Sequence, residues 1–365
     1  MPILEKIVIR DFRNIVLQEL AFSPNVNCIS GNNGSGKTNL LEAIHYLSMT
    51  KSSASSIEKF NFRHGCSEFA IAGTYKMEGG LESRFAIQVS DDGKKTLKRD
   101  DKPYKRVSEH IGVLPIVMVS PADSSMVIES GEERRRFMNS VLSQTDQEYL
   151  DAVQQYNRLL QQRNKMLKEH SCDISLLEVF DMKMASLAEP IAARRRELCE
   201  ALTPKVQEYY SALSGGGEQV GLQYETDLDK GPLDSLLAAH RDRDLALRYT
   251  GVGIQRDDIA FTMEGHPIRR CGSQGQQKSF LVSLKFAQYE IMKNRYGFAP
   301  ILLLDDLFDK LDMNRVSNLL AMVAGSDFGQ IFLTDSNKVR IAGIVDGLTK
   351  DRMYYETSEG TFKTI

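Results

Sequence analysis

The chain has 365 residues, of which 42% are hydrophobic and 26% charged, and its formal net charge is −3. This charge excludes a globally basic nucleic-acid-binding protein but leaves room for a local basic surface. No apolar run approaches the roughly 20 residues that span a bilayer, and the start shows no secretory signal. The five cysteines form no Cys-x-x-Cys pair, which is typical of reduced thiols in the cytoplasm, where we expect the protein.

The first third of the chain alternates apolar and polar residues, which predicts strands. These strands cover residues 7–12, 17–22, 69–77 and 85–89, and mostly apolar runs predict buried strands at 26–30 and 113–119. Apolar residues at helical spacing over 40–47 predict a helix directly after the glycine-rich segment that follows residue 30.

The periodicity changes to three or four residues in the middle of the chain. Two runs, 137–167 and 174–213, are separated by a short break at 170–173, so we expect an antiparallel helical hairpin. A Ser-x-x-Glu capping box at 130–133 precedes it, and two internal prolines predict kinks in the second run.

Beyond the hairpin the pattern becomes mixed again. Strands are predicted at 220–224, 259–263, 301–304 and 331–333, and helices at 233–247 and 276–293. The fold class is therefore α/β with mixed sheets. Segments 1–122 and 249–365 are predicted to form one lobe, which a mostly helical lobe of residues 123–248 interrupts.

The segment after strand 26–30 matches the phosphate-loop pattern G-x-x-x-x-G-K-[ST]. Its residues are Gly31, Asn32, Asn33, Gly34, Ser35, Gly36, Lys37 and Thr38. Glycines let backbone N–H groups surround phosphate oxygens, Lys37 reaches the β- and γ-phosphates, and Thr38 offers a hydroxyl to Mg²⁺. The helix that begins there adds its positive end. The pattern predicts a site for ATP and Mg²⁺.

Two carboxylates follow the apolar strand 301–304. Asp305 can hold Mg²⁺ directly or through water, and Asp306 can orient and polarise the attacking water. A strand that ends in Asp-Asp can also be a simple capped strand end, but the phosphate loop favours the catalytic interpretation. Lys37, Asp305 and Asp306 are thus the predicted catalytic residues, and Thr38 and Asp305 the predicted metal ligands.

A third segment, Gly272–Gln277, resembles the Leu-Ser-Gly-Gly-Gln signature of ATP-binding-cassette ATPases. The matching positions are Ser273, Gly275 and Gln276. Gly272 and Gln274 depart from the signature, and an ordinary glycine-rich helix start is the alternative. In the cassette family this loop binds the ATP of a partner subunit, so the resemblance implies a homodimer that forms upon ATP binding.

Other cassette elements are less regular. Leu311-Asp312 lies at the D-loop position, and Ser120–Asp123 occupies the place of the Q-loop. Thr334 stands where many cassette enzymes have a switch histidine, so we expect γ-phosphate sensing either to be weaker or to use Thr334 or Asp335.

Over nearly its whole length the chain resembles the RecF family, the bacterial recombination and repair ATPases of the SMC-like cassette group. The matching segments are Phe12-Arg13-Asn14, Gly36–Ala43, Ser120–Asp123, Arg134–Phe137, Arg256–Asp258 and Ser273–Gln277. The family often has Pro-His where this chain has Ile254 and Gln255, and no Arg follows Ser52-Ser53.

The resemblance implies an ABC-type, SMC-like ATPase head, and it adds Arg13, Asn14 and Asn39 to the expected nucleotide-binding residues. It also implies a DNA replication and repair function. Two subunits would sandwich two ATP molecules and hold duplex DNA next to single-strand gaps. Together with RecO and RecR, the dimer would promote RecA loading in recombinational gap repair and the SOS response. Slow hydrolysis would reset the dimer, and no membrane is involved.

Three basic runs are candidates for contact with DNA phosphates. They are Arg134–Arg136, Arg194–Arg196 and the Lys and Arg residues of 94–106. A structural role is favoured for Arg134–Arg136. For the 94–106 cluster, DNA contact and a solvated surface are equally favoured interpretations.

Two other functions compete with the repair ATPase. The first is a cytoplasmic ATPase subunit that energises a membrane transporter, against which the Phe12-Arg13-Asn14 and Arg256–Asp258 segments argue. The second is an ATP-dependent nuclease of the overcoming-lysogenization type. It would need an acidic metal-binding domain after the ATPase, and we expect no room for one before Ile365.

Overall fold

Alternating apolar residues from both ends of the chain form two large sheets in a computed structural model of the protein. The structure describes residues 1–53, 55, 57–129, 131–169, 173–307, 315, 328–337 and 350–365. The chain divides into two units. The first comprises Met1–Asp123, Ala212–Gly216 and Leu281–Ile365, and the second comprises Ser124–Ser211 and Gly217–Phe280.

The first sheet of the first unit is antiparallel. Its strands, in spatial order, are β2 (Ile15–Ala21), β1 (Ile3–Phe12), β4 (Glu68–Lys76), β5 (Glu82–Ser90), β6 (Lys95–Arg99) and β7 (Lys102–Pro103). Every second residue of β4 and β5 is buried, as the alternation predicts. The short strands β6 and β7 were not predicted, because Leu97 is their only buried apolar residue.

The second sheet of the first unit is mostly parallel. Its spatial order is β15 (Thr361–Thr364), β14 (Arg352–Ser358), β3 (Val26–Ser30), β13 (Ile331–Asp335), β12 (Ile301–Leu304) and β8 (Ile116–Val119). Only β14 and β15 pair antiparallel. Because β3, β12 and β13 run in the same direction, the segments that follow them meet at one edge of the sheet. The sequence patterns did not predict β14 and β15.

Helix α1 (Lys37–Met49) has buried residues on all its faces. It contacts β1, β4 and β5 of the antiparallel sheet, and β8 and β13 of the parallel sheet. The apolar residues of α1 therefore belong to one hydrophobic core that both sheets share. This packing fixes the start of α1 with respect to the ends of β3 and β12.

The second unit contains most of the helices in the described part of the chain and a small antiparallel sheet. The helices are α2 (Ser125–Ile128), α3 (Gly131–Thr145), α4 (Gln147–Met166), α5 (Ile174–Ser214), α6 (Leu233–Leu247) and α7 (Ile268–Cys271). Helix α8 (Gln274–Tyr296) begins in this unit and continues into the first, to which the last three residues of α5 also belong. The sheet comprises β9 (Val220–Glu225), β10 (Asp258–Met263) and β11 (His266–Pro267). Short 3₁₀ helices lie at Glu58–Asn61, Glu78–Gly80, Val107–His110, Pro121–Ser124, Asp227–Lys230 and Ile254–Arg256.

The predicted antiparallel hairpin is confirmed by side-chain contacts between α4 and α5. Arg163 near the end of α4 pairs with Asp181 near the start of α5. Tyr149 near the start of α4 accepts a hydrogen bond from Arg195 of α5. Helix α5 continues through both Pro190 and Pro204, where kinks were predicted.

The first predicted run of the hairpin is divided into α3 and α4. The carboxylate of Asp146 accepts the N–H of Tyr149 at 3.0 Å, so Asp146 caps a new helix and ends the previous one. Ser130 of the predicted capping box and most of the predicted break at 170–173 lie outside the described residues.

The predicted boundary at residue 248 differs from the structure, where the second unit extends to Phe280. The reason is strand pairing, since β10 pairs with β9 along its whole length. Arg134 of α3 also donates two hydrogen bonds, of 2.6 and 2.8 Å, to the carboxylate of Asp258 in β10. Residues 249–280 are therefore part of the unit that contains the hairpin.

A buried cluster of ion pairs around Arg163 connects helices of the second unit. The guanidinium of Arg163 is fully buried and donates to Asp181 at 2.6 Å and to Asp244 at 2.7 Å. It also donates to the hydroxyl of Thr250 at 2.8 Å. These contacts link α4, α5, α6 and the segment after α6. Removing one partner of such a cluster leaves buried charge without compensation.

We predict that Arg163→Met lowers the free energy of unfolding of the second unit by about 3–5 kcal/mol, because Asp181 and Asp244 lose their cation. Urea denaturation followed by circular dichroism measures this loss. Arg194→Met is the matched control on the same hairpin, since Arg194 is about half exposed, and its loss should be below about 1 kcal/mol. Equal losses in the two variants would contradict a special role of the cluster.

Candidate functional site

The predicted phosphate loop lies between β3 and α1, and its glycines adopt backbone conformations that other residues disfavour. Gly34 and Gly36 have φ values of 79° and 114°, in the left-handed region that side chains other than glycine disfavour. Gly36 is the N-cap of α1 and has no side-chain cap. The first N–H groups of α1 are therefore available to an anion.

Lys37 is 6% exposed, and its ammonium group donates to the carbonyl oxygens of Gly31 at 2.6 Å and Asn32 at 3.0 Å. Among the residues that the structure describes, no carboxylate pairs with this ammonium. Buried ammonium groups are normally paired. The site therefore offers a positive charge that the described residues balance only with carbonyl dipoles.

The hydroxyl of Ser35 is a second unsatisfied group in the loop. It is buried and has no hydrogen-bond partner within the described part of the chain. A buried hydroxyl without a partner is costly. An anion bound in the loop would supply acceptor oxygens to both Lys37 and Ser35, so these residues fit a phosphate group.

The two predicted metal ligands lie in direct contact. The hydroxyl of Thr38 donates to the carboxylate of Asp305 at 2.9 Å, and the hydroxyl of Thr334 donates to the same carboxylate at 2.7 Å. Burial raises the pKa of the Asp305 carboxyl above its usual value, although these two hydrogen bonds act in the opposite direction.

A hydroxyl and a carboxylate are oxygen ligands of the kind that Mg²⁺ prefers. Within the described residues, no group of three or more His, Cys, Asp or Glu side chains could hold a metal. A metal at Thr38 and Asp305 would therefore need further oxygens from phosphate and water. This is the usual arrangement for Mg²⁺ in nucleotide sites.

Thr334 connects the two aspartates that follow β12. It is fully buried, donates to Asp305, and accepts the backbone N–H of Asp306 at 2.9 Å. Asp306 itself has φ 45°, so the chain turns sharply directly after Asp305. Asp335, the other candidate for the switch position, is also buried and accepts the N–H of Asn337. Thr334 therefore contacts both aspartates.

Arg13, Asn14 and Asn39 form a chain of hydrogen bonds beside the phosphate loop. Arg13 donates to Asn39 at 3.2 Å, Asn39 donates to Asn14 at 2.7 Å, and Asn14 donates to the carbonyl of Ser35 at 3.4 Å. Arg13 also pairs with Glu42 of α1, which is buried. The guanidinium is thus occupied by protein groups, and Asn14 connects the three residues to the loop at the carbonyl of Ser35.

The signature segment forms a capping box at the start of α8. The N–H of Ser273 donates to the side chain of Gln276 at 2.8 Å, and the N–H of Gln276 donates to the hydroxyl of Ser273 at 3.3 Å. Ser273 is exposed. The segment lies in the second unit, whereas the phosphate loop lies in the first.

The structure describes the predicted Q-loop position and the helical basic runs but not the predicted D-loop position. The N–H of Ser120 donates to Asp123 at 2.7 Å, and Asp123 pairs with Lys285 at 2.8 Å, so Ser120–Asp123 is a closed turn. Leu311-Asp312, at the D-loop position, lies outside the described residues. The helical basic runs are mostly paired within the protein, since Arg134 binds Asp258 and Arg195 binds Asp257.

Comparison with known proteins agrees with the sequence resemblance. The family described as RecF/RecN/SMC N terminal domain matches residues 3–349. A DNA replication and repair protein RecF of Parabacteroides distasonis is 42% identical over 358 residues, which are 98% of each chain. The chain belongs to the RecF family. RecF of Bacteroides fragilis is 42% identical over 364 residues, with 100% of this chain and 98% of the relative covered.

A solved structure of the RecF family is also similar throughout. It is described as the recombination mediator protein RecF-ATP in the RecFOR pathway. It has a TM-score of 0.89 and 28% identity, and the match covers 100% of this chain and 98% of that chain. The predicted SMC-like ATPase fold is thereby confirmed. Membership of this family favours the repair ATPase over the transporter subunit, and no described helix is long and apolar enough to cross a membrane.

Proposed function

We propose that this RecF family member is an ATP-dependent DNA clamp of replication and repair. ATP and Mg²⁺ bind at the phosphate loop, two subunits close over two nucleotides, and the dimer holds duplex DNA beside single-strand gaps. With RecR, and indirectly RecO, the cytoplasmic dimer promotes RecA loading in gap repair and the SOS response. The contact between Thr38 and Asp305 carries this proposal, because it joins the phosphate loop to a carboxylate from a distant part of the chain.

Each residue of the site has a proposed task in ATP hydrolysis. The loop N–H groups, with Asn32 and Asn33 in the turn, surround the phosphates, and Lys37 moves its donors from two carbonyls to phosphate oxygens. Mg²⁺, when bound, would neutralise phosphate charge and would be held by Thr38 and Asp305. Asp306 orients the attacking water, and Thr334 holds its backbone in place.

The signature segment is proposed to complete the site of a partner subunit. Ser273 is exposed, and its hydroxyl accepts one hydrogen bond while its own proton stays available to a phosphate oxygen. Gly275 and Gln276 follow in the first turn of α8, where N–H groups favour an anion. The phosphate loop supplies these functions for the nucleotide of its own subunit, so the signature suits a second nucleotide.

The basic edge, which we define as Lys94, Lys98, Lys102 and Lys105, is the proposed DNA contact. All four side chains are exposed at or beside β6 and the edge strand β7, and among the described residues they form no ion pair. The other basic side chains of this region have partners, since Lys95 donates to the carbonyl of Thr50 at 2.6 Å. Unpaired lysines attract DNA phosphates irrespective of sequence.

We predict that Asp306→Asn binds ATP within about twofold of the wild type but loses at least about 100-fold in turnover, because the amide cannot polarise water. Equilibrium dialysis measures ATP binding, and phosphate release measures turnover. Asp91→Asn, in an exposed turn, is the control and should leave both unchanged. An unchanged hydrolysis rate in Asp306→Asn would show that another group orients the water.

We predict that the Ser273→Arg variant remains monomeric with ATP, because the larger arginine side chain blocks the approach of the partner's nucleotide. Sedimentation velocity with and without ATP measures the dimer. Ser235→Arg is the control, since Ser235 is exposed in the first turn of α6, and it should dimerise normally. If Ser273→Arg dimerised as well as the wild type, the sandwich arrangement would be wrong.

We predict that Lys98→Glu with Lys102→Glu weakens duplex binding at least about tenfold. It should also reduce the slope of log affinity against log salt by about 2, roughly 0.9 for each lost phosphate contact. Gel shifts with duplex, gapped and single-stranded DNA, with and without ATP, measure both. Lys76→Glu with Lys168→Glu makes the same charge change at exposed lysines elsewhere. Equal weakening by both pairs would leave only a net-charge effect and exclude this edge as the contact.

A further inference from the structure

The carbonyl oxygen of Ser35, in the middle of the phosphate loop, accepts three hydrogen bonds. The donors are the backbone N–H of Gly360 at 2.8 Å, the hydroxyl of Thr357 at 3.2 Å and the side-chain amide of Asn14 at 3.4 Å. Two of the three donors belong to the hairpin of β14 and β15, which is remote from the loop in sequence. The hydroxyl of Thr357 lies on a residue that is 3% exposed.

Glycines occupy the tight contacts among the phosphate loop, this hairpin and the turn between β1 and β2. A Cβ on Gly31 would lie 2.5 Å from the carbonyl oxygen of Thr357, and one on Gly36 would lie 2.9 Å from the side-chain nitrogen of Asn14. A Cβ on Gly360 would collide with the carbonyl oxygen of Asn14, and Gly360 has φ 77°. The phosphate loop is thus in van der Waals contact with two neighbouring turns.

The hairpin is itself held in place by the sheets. Strand β14 pairs with β3 up to the pair Glu356 and Ser30, directly before the phosphate loop. The side chain of Gln18 in β2 accepts the N–H of Phe362 at 3.1 Å and donates to its carbonyl at 3.3 Å. Phe362 is part of the hydrophobic core. The turn that reaches Ser35 is therefore fixed to both sheets of the first unit.

Because the peptide bond is planar, the hydrogen bonds to the Ser35 carbonyl also fix the direction of the next N–H group, that of Gly36. In a trans peptide the C=O of one residue and the N–H of the next point in opposite directions. Since the carbonyl of Ser35 points towards the β14–β15 turn, the N–H of Gly36 points the other way, into the loop. We propose that Thr357 and Gly360 are positioning residues of the ATP site, which hold the Ser35–Gly36 peptide so that the Gly36 N–H faces the phosphates.

This inference rests on the proposed ATP site and adds to it two residues that no phosphate-loop, acid or signature motif contains. It also distinguishes the hydroxyl of Thr357 from its methyl group. The methyl packs on Gly31, where an added Cβ would lie 2.8 Å from it, whereas the hydroxyl alone contacts Ser35. Valine keeps the shape and loses the donor, and serine keeps the donor and loses the methyl.

The experiment compares Thr357→Val with Thr357→Ser in the full-length protein. Equilibrium binding of a fluorescent ATP analogue with Mg²⁺, well below the melting temperature, measures Kd. We expect Thr357→Val to raise Kd about five- to tenfold, which corresponds to one lost hydrogen bond, and Thr357→Ser to stay within about twofold. Because the residues act through the loop, KM for ATP should rise with Kd while kcat at saturating ATP stays nearly unchanged.

A second pair of variants covers the case in which Thr357→Val does not fold. Gly360→Ala and Gly79→Ala place alanine at nearly the same φ, 77° and 75°, so they carry a similar backbone cost. A Cβ on Gly79 would meet no atom within 4 Å. We expect Gly360→Ala to raise Kd more than tenfold and Gly79→Ala to leave it unchanged.

The possible results distinguish a failure of the proposed ATP-binding function from a failure of the positioning role of Thr357 and Gly360. A wild-type protein that bound no ATP would overturn the proposed function. If the wild type binds ATP and both Thr357→Val and Gly360→Ala bind it equally tightly, only the positioning role is wrong. The same conclusion would follow if Thr357→Ser lost as much affinity as Thr357→Val, because packing and not the hydroxyl would then be responsible.

Discussion

The first unit depends on one constraint, which is that the phosphate loop must direct its N–H groups inwards and still find partners for its carbonyls. Backbone polar groups that are buried without partners are costly. In this chain the carbonyls of Gly31 and Asn32 accept from Lys37, and the carbonyl of Ser35 accepts from three donors. The carbonyl of Gly36 accepts the N–H of Leu40 in the first turn of α1. The N–H of Ser35 also donates to the carbonyl of Asn32 at 3.2 Å, but the other partners of these carbonyls come from outside the segment Gly31–Gly36.

This constraint explains why the site needs segments from both ends of the chain. The turn between β1 and β2 supplies Asn14, the end of β12 supplies Asp305, and the final hairpin supplies Thr357 and Gly360. Arg13 takes part indirectly, because it holds Asn39 and the buried Glu42 at the start of α1. Glu42 also accepts hydrogen bonds from the hydroxyls of Ser52 and Ser53. The parallel order of β3, β13 and β12 brings these groups to one edge of the sheet.

The sequence predicted the parts of the fold that have strong local patterns. The phosphate loop, the strand before Asp305 and the helical hairpin are each encoded by neighbouring residues. The β14–β15 hairpin was missed, because its short strands carry mixed side chains and its contact with Ser35 joins residues more than 300 positions apart. The break at Asp146 was missed because its apolar spacing continues across it. A resemblance could suggest that Arg13 lies near the nucleotide, but only coordinates show that its guanidinium is already paired with Glu42.

The internal contacts of the phosphate loop also bear on which ligands the proposed site would select. The Lys37 ammonium donates to the carbonyls of Gly31 and Asn32, and the Thr38 hydroxyl donates to Asp305. A ligand must replace these contacts with acceptors of its own, and a triphosphate with Mg²⁺ would replace both at once. Adenosine or AMP, which lack the terminal phosphates, would replace neither.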